Sequence, residues 1–199
     1  IALTGSACPW VSRGGLKLDH ALAQFDIDLT GQIVLDLGAS TGGFTEVALA
    51  RGATKVFAVD VGHGQLHDTL RGDPRVIALD GVHARDLSRA LVPDRVDAIV
   101  CDVSFISLRK ALPAALMLAA PGAALVALIK PQFEAGPKSV GKGGVVRDAG
   151  VHDRVCAEVR DWLAAQPGWS VLGLIASPVT GADGNAEFLI AARLTGRPS

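Results

Sequence analysis

Three observations predict an α/β domain with a doubly wound, mostly parallel seven-stranded sheet. First, continuous apolar runs of strand length alternate with helix-patterned segments, which is how parallel strands covered on both faces read. Second, a glycine-rich turn follows the first of those runs, where such sheets bind ligands. Third, two late strand-like segments are joined only by SPVTGADGN, a link too short for a parallel crossover, so they must pair antiparallel as a closing C-terminal hairpin.

In chain order, Leu16, Ala21, Leu22 and Phe25 mark an amphipathic helix. Ile33–Leu37 is the first strand, and Gly42–Arg51 is a helix with Phe44, Val47 and Ala48 at helical spacing. Further strands are expected at Val56–Asp60, Arg75–Leu79, Val96–Cys101 and Ala124–Ile129, and the hairpin at Trp169–Ala176 and Ala186–Arg193. The uncharged stretch Ala111–Ile129 is nearly long enough to span a bilayer, but Pro113 and Pro121-Gly122 interrupt it. A helix through Ala120, a turn at Pro121-Gly122 and a buried strand from Ala124 explain it better. The expected organisation is a single domain overall, with residues 1–29 as linker and helix and 30–199 as the sheet domain.

The 199 residues are 49% hydrophobic and 20% charged, which excludes a disordered, collagenous or coiled-coil chain. With 19 Lys+Arg against 20 Asp+Glu, the formal net charge of -1 excludes a polybasic nucleic-acid binder but leaves room for a locally basic face. Cys8, Cys101 and Cys156 form no C-x-x-C, so reduced, mostly buried thiols of a cytoplasmic protein are expected. The opening IALTGSACPW has neither basic head nor apolar run, and a start at Ile1 is expected of a piece of a longer chain.

Chemistry should lie beyond the carboxyl ends of the strands. The first strand runs into Asp36-Leu37-Gly38-Ala39-Ser40-Thr41-Gly42-Gly43-Phe44. Its spacing fails the dinucleotide pattern G-x-G-x-x-G. It satisfies G-x-S-x-G, so a hydrolase triad of Ser40, Asp102 and His152 stays open, although that elbow normally follows a later strand. It also satisfies D-x-G-x-x-x-G-G, the cofactor turn of S-adenosylmethionine-dependent enzymes, and a purely structural glycine turn remains an alternative. Asp60, ending the second strand and followed by Val61, suits two ribose hydroxyls; Asp80, before Gly81, suits an adenine amino group. The fourth strand ends in Asp102-Val103-Ser104-Phe105 without the prolines of the N/D-P-P-Y/F signature, which argues against an exocyclic amine as target.

Lys130 closes the fifth strand, and a lysine there is costly unless paired or used. Desolvation or a cationic neighbour moves an ammonium towards neutrality, which makes Lys130 a candidate general base. A snorkelling lysine is the plainer alternative. In such a domain Lys17, ahead of the sheet, and Glu187, on the last hairpin, could reach the same mouth. No His/Cys spacing suggests a metal. The loop Gly136–Gly144 nearly matches a P-loop, but Gly143 replaces the required Ser/Thr, which argues against nucleotide hydrolysis. Its Lys138 and Lys142, with Arg147, suit RNA phosphates equally well as they suit a plain surface loop.

SRGGLKL, LDLGASTGGFTEV, VDVGHGQL, DPRVIAL, DVSFISL, KPQFEAG, VGKGGVVRD and GNAEFL occur in order between Trp10 and Leu194. Together they closely resemble the TlyA (hemolysin A) family of ribosomal RNA 2'-O-methyltransferases, within the wider FtsJ/RrmJ-like group. The resemblance implies a Rossmann-like class I methyltransferase fold, S-adenosyl-L-methionine as cofactor, and ribosomal RNA or a ribosomal subunit as partner, with cytidine as target. It implies a Lys-Asp-Lys-Glu tetrad at Lys17, Asp102, Lys130 and Glu187, with Lys130 activating the ribose hydroxyl. It implies a cofactor site drawn from Asp36, Gly38, Ala39, Ser40, Gly42, Gly43, Phe44, Asp60, Val61, Asp80 and Gly81, and RNA contacts that include Arg13. Members usually carry an N-terminal S4-like RNA-binding domain, which is expected to be missing here. Asp80, His83 and His63 depart from the residues usual in the family. The family's older label leaves a cytolysin as a further alternative, against which the broken apolar run argues.

Overall fold

The structure is a computed structural model and describes residues 8–136, 139–141, 143–181 and 183–196. Its elements are α1 (Gly14–Gln24), β1 (Ile33–Leu37), α2 (Gly43–Ala50), β2 (Lys55–Asp60), α3 (Asp68–Arg71), β3 (Val76–Asp80), β4 (Val96–Cys101), α4 (Leu108–Leu116), β5 (Ala119–Ile129), α5 (Pro131–Glu134), α6 (Ala149–Ala164), β6 (Trp169–Ala176) and β7 (Phe188–Leu194). They build one seven-stranded sheet in the order β3-β2-β1-β4-β5-β7-β6.

The apolar runs behave as two-faced strands. Leu35, Ile99, Leu125 and Ile190 point into a core closed by Leu108 and Leu112 of α4 and Val159 and Leu163 of α6. Val34, Val100, Val126 and Leu189 point into a second core closed by Leu18 and Leu22 of α1 and Val47 of α2. Burying both faces explains why these strands read as continuous rather than alternating apolar runs. Helix α1 packs on α2, so the N-terminal helix belongs to the same layer.

Pairing is parallel from β3 through β5. The reversed strand is β7, antiparallel to both β5 and β6, so β6 keeps the common direction. This refines the expected closing hairpin: α6 carries the chain over to β6 at the edge, and β7 returns between β6 and β5. Because β7 runs backwards, its first residue lies at the edge where the parallel strands end, with Phe188 opposite Ile129. Glu187 and Lys130 are the next residues outward on those two strands.

The stretch Ala111–Ile129 departs from expectation. Helix α4 ends at Leu116 instead of running through Ala120, and β5 starts at Ala119 and passes through Pro121-Gly122. Five steps along β5, from Ala119 to Ala124, face two along β4, from Val96 to Ala98. That bulge places Pro121, which has no N–H to pair, and Gly122, with φ +83°, in exposed backbone. Pro113 lies inside α4 rather than ending it. The third strand is Val76–Asp80, one residue later than read, and no helix of the described residues is long and apolar enough to cross a membrane.

The turn that carries β1 into α2 depends on Gly42, whose φ of +102° caps the helix. A Cβ there would overlap Leu70 Cδ1 and approach Leu66 Cδ1 to 2.8 Å. Gly42→Ala should therefore cost roughly 2–4 kcal/mol, combining left-handed strain with overpacking. Urea unfolding checks this, and a midpoint equal to that of the unsubstituted protein contradicts it.

Candidate active site

The charged residues closing β4, β5 and the approach to β7 form two ion pairs in one cleft of about 600 Å³. Lys130 Nζ lies 2.6 Å from Asp102 Oδ1 and donates to Ser104 Oγ at 2.8 Å. Lys17, on the inner face of α1, donates to Glu187 Oε2 at 2.6 Å. Both members of this second pair are buried, at 8% and 5% exposure, so each charge depends on the other. Parallel pairing of β4 with β5 sets Asp102 beside Lys130; antiparallel pairing of β5 with β7 brings Glu187 to the same edge on the other side of β5.

The β1–α2 turn forms the floor. Gly38 has φ +79°, and a Cβ on it would stand 2.6 Å from the Asp102 carbonyl oxygen, so this approach of two backbones admits only glycine. Asp60 holds the turn in place: Oδ2 accepts from the Ser40 N–H at 2.8 Å and Oδ1 from the Gly62 N–H at 2.7 Å. Each oxygen therefore has a backbone donor already and retains one further lone pair for a ligand hydroxyl.

A second cleft of about 650 Å³ opens over β2 and β4, lined by Asp60, Val61, Gln65, Val82, His83 and Val103. Gly38, Ser40, Asp102, Ser104 and Phe105 line both clefts, so the two meet above the glycine turn. At that junction Phe105 is 91% exposed with φ +65°, and its ring centroid is 5.0 Å from that of Phe133. A strained, solvent-facing aromatic at a cleft mouth presents a face to a planar group.

Of the residues singled out in the sequence, Lys17, Asp102, Lys130, Glu187, Arg13, Gly38, Ala39, Ser40, Gly43 and Phe44 line the first cleft, and Asp60 and Val61 the second. Others lie elsewhere. Asp80 lines neither cleft; its Oδ2 accepts from Arg71 at 2.9 Å and from the Gly64 N–H at 3.1 Å, which hold its carboxyl below the usual range. Both contacts fall on Oδ2, and Asp80 stands outside the two clefts. Gly81 packs against the His63 ring, and Gly42 against Leu66 and Leu70. Arg147 is exposed and lines neither cleft, and Lys138 and Lys142 lie outside the described residues. The hydrolase triad is not assembled either. His152 Nε2 pairs with the Val146 carbonyl at 2.9 Å, its ring packs on Phe188, and Asp102 faces Lys130 instead.

Ser104, Phe105 and Asn185 were not singled out from the sequence. Asn185 is 1% exposed. Its Oδ1 accepts from the Val146 N–H at 3.0 Å and its Nδ2 donates to the Gly144 carbonyl at 3.1 Å, which ties that loop to the segment bearing Glu187. A Gly-Asn dipeptide reads as a turn, so no local signal marked it as buried.

Asp36 lies on β1 below the turn, fully buried. Thr45 Oγ1 donates to its Oδ2 at 2.6 Å, while Oδ1 has no hydrogen-bond partner among the described residues. Burial pushes its carboxyl up to about 7, with the nearby Asp102 and Asp60 adding to the rise and Thr45 opposing it.

The sequence pattern of the FtsJ-like methyltransferase family matches residues 10–194. The 16S/23S rRNA (cytidine-2'-O)-methyltransferase TlyA of Mycobacterium tuberculosis is 49% identical over 189 residues, which cover 94% of this chain and 70% of that protein. YqxC of Bacillus subtilis, named as a candidate rRNA methyltransferase, is 46% identical over 191 residues, 96% of this chain and 68% of that one. Among solved structures, a candidate hemolysin of Streptococcus thermophilus superposes with a TM-score of 0.91 at 44% identity, over 98% of this chain and 70% of its own.

Two stability predictions follow from these burials. Between its ordinary value of 3.8 and about 7, folded Asp36 keeps a proton that the unfolded chain has released, so its contribution favours folding below that window and fades as pH rises through it. Asp36→Asn removes the buried charge, so its stability relative to the unsubstituted protein should climb between pH 4 and 7 and level off above, by up to about 4 kcal/mol. A pH-independent difference in denaturant titrations contradicts this. Lys17→Met strands the Glu187 carboxylate and should cost about 3–5 kcal/mol, whereas Lys17→Met with Glu187→Leu should lose markedly less. Equal losses in calorimetric melts of the two variants contradict the pairing argument.

Proposed function

The chain belongs to the FtsJ-like methyltransferase family, and from that premise we propose that it transfers a methyl group from S-adenosyl-L-methionine to a ribose 2'-hydroxyl of ribosomal RNA, at cytidine. The supporting names are those of the relatives from Mycobacterium tuberculosis and Bacillus subtilis. The observation that carries the reading is the Lys130 ammonium, held by Asp102 and Ser104 where the cleft over the glycine turn meets the cleft over β2.

The residues present suit this cofactor. Gly38 brings the backbone of the turn to the floor of both clefts, Asp60 stands at the end of β2 with lone pairs to spare, and Val61, Val82 and Val103 offer apolar walls to a nucleoside base. When bound, the cofactor supplies an electrophilic methyl group on a sulfonium sulfur. After losing one proton to solvent, Lys130 takes that of the 2'-hydroxyl as a neutral amine, and Asp102 faces the ammonium that results. Lys17, fixed by Glu187, adds positive charge where the ribose oxygen becomes anionic. Phe105 offers a stacking face to the target base. Arg13, which lines the first cleft, suits phosphates, and Arg147, Lys138 and Lys142 are proposed for the same role. The segment after β4 lacks the prolines used against base amines, in keeping with a hydroxyl target. A ribosomal substrate supports a cytoplasmic location.

Calorimetry with S-adenosyl-L-methionine followed by methyl transfer to ribosomal subunits tests this reading. Lys130→Ala should keep cofactor affinity and lose roughly 10²- to 10⁴-fold in transfer. Transfer by Lys130→Ala at the unsubstituted rate removes Lys130 as the base, and the reading with it.

A further inference from the structure

We propose that Ser104 is a positioning residue for the proton-transfer step: its hydroxyl sets the direction of the Lys130 amine, while Asp102 supplies charge without direction. The inference rests on the reading of Lys130 as general base. Two contacts to the same nitrogen differ in kind. Lys130 Nζ donates to Ser104 Oγ at 2.8 Å in hydrogen-bond alignment. Asp102 Oδ1 lies closer, at 2.6 Å, yet it is buried and has no aligned hydrogen-bond partner among the described residues. Among those residues, Ser104 is thus the one aligned acceptor of Lys130.

A charge 2.6 Å away attracts an ammonium whatever its rotation about Cε–Nζ, but a base needs a direction. A neutral amine has two N–H bonds and one lone pair, and rotation about Cε–Nζ sweeps all three around a cone. Binding one N–H to Ser104 stops that rotation and with it fixes the directions of the other N–H and of the lone pair. Ser104 is placed for this, since it lines both clefts, at the junction where a ribose hydroxyl and a methyl donor would meet.

The chemistry keeps the arrangement intact. The 2'-oxygen gives its proton to the Nζ lone pair, and its electron pair forms the bond to the methyl carbon. The carbon–sulfur bond breaks with its pair left on sulfur, giving a neutral thioether and an ammonium. The new N–H occupies the former lone-pair direction, so the contacts to Ser104 and Asp102 persist and little reorganisation accompanies the step.

Ser104 is exposed, so its substitution should leave folding unaffected. Ser104→Ala, Ser104→Thr and Lys130→Ala are compared for cofactor affinity by calorimetry and for methyl transfer to ribosomal subunits. The cofactor-free proteins are compared by ¹⁵N NMR of the lysine side chains. Ser104→Ala should keep the cofactor Kd and the KM for subunits, and lower kcat roughly 10- to 100-fold, the worth of a hydrogen bond to a charged group. Ser104→Thr, which keeps the hydroxyl, should recover most of that loss. The Lys130 ammonium correlation should be present in the unsubstituted protein and lost to solvent exchange in Ser104→Ala. Undiminished kcat with an unchanged Lys130 resonance in Ser104→Ala overturns the positioning role. Undiminished transfer in Lys130→Ala overturns the underlying 2'-O-transfer reading instead, so the two failures are distinguishable.

Discussion

Lys17 and Glu187 meet at 2.6 Å from opposite ends of the chain, in a setting where neither charge could stand alone. That requirement links helix α1 to the β5–β7 ladder and fixes one wall of the cleft. Lys130 and Asp102 repeat the arrangement next to it with more access to solvent. Two ammonium groups in one concavity repel each other, and giving each its own carboxylate makes the concentration of positive charge affordable. An incoming oxyanion then finds cationic groups already placed.

Strand direction does the rest. In a wholly parallel sheet every strand delivers its last residue to the ligand edge. Reversing β7 delivers a first residue there instead, and Glu187 joins Asp102 and Lys130 without a long loop to carry it. Asn185, two residues earlier, fastens the Gly144–Val146 segment to the same spot, so the hairpin organises both a charge and a rim.

Much of this was legible in the residues. Parallel strands covered on both faces give unbroken apolar runs, so β1 and β4 are found at their read boundaries; so is the edge strand β6. The charged ends of β4 and β5 and the turn at Gly38 follow from the rule that ligands sit at the carboxyl edge. What escaped depends on tertiary context. Pro121-Gly122 reads as a turn because local chemistry cannot tell a turn from an exposed bulge in an edge-free strand. Asp80 looks free until Arg71, brought by α3, occupies it. Asp60 looks free until the Ser40 and Gly62 amides close on it. Asn185 reads as surface until β7 inserts, and the role of Ser104 becomes visible only beside a lysine 26 residues away.

The span between Lys17 and Glu187 also carries a consequence for biogenesis. Synthesis proceeds from the N-terminus, so α1 emerges early and its ammonium waits for a carboxylate near the last strand to be translated. A nascent chain lacks one wall of the pocket until Glu187 has been made. Assembly of the pocket therefore waits on translation of β7, whatever the order in which the rest of the sheet forms.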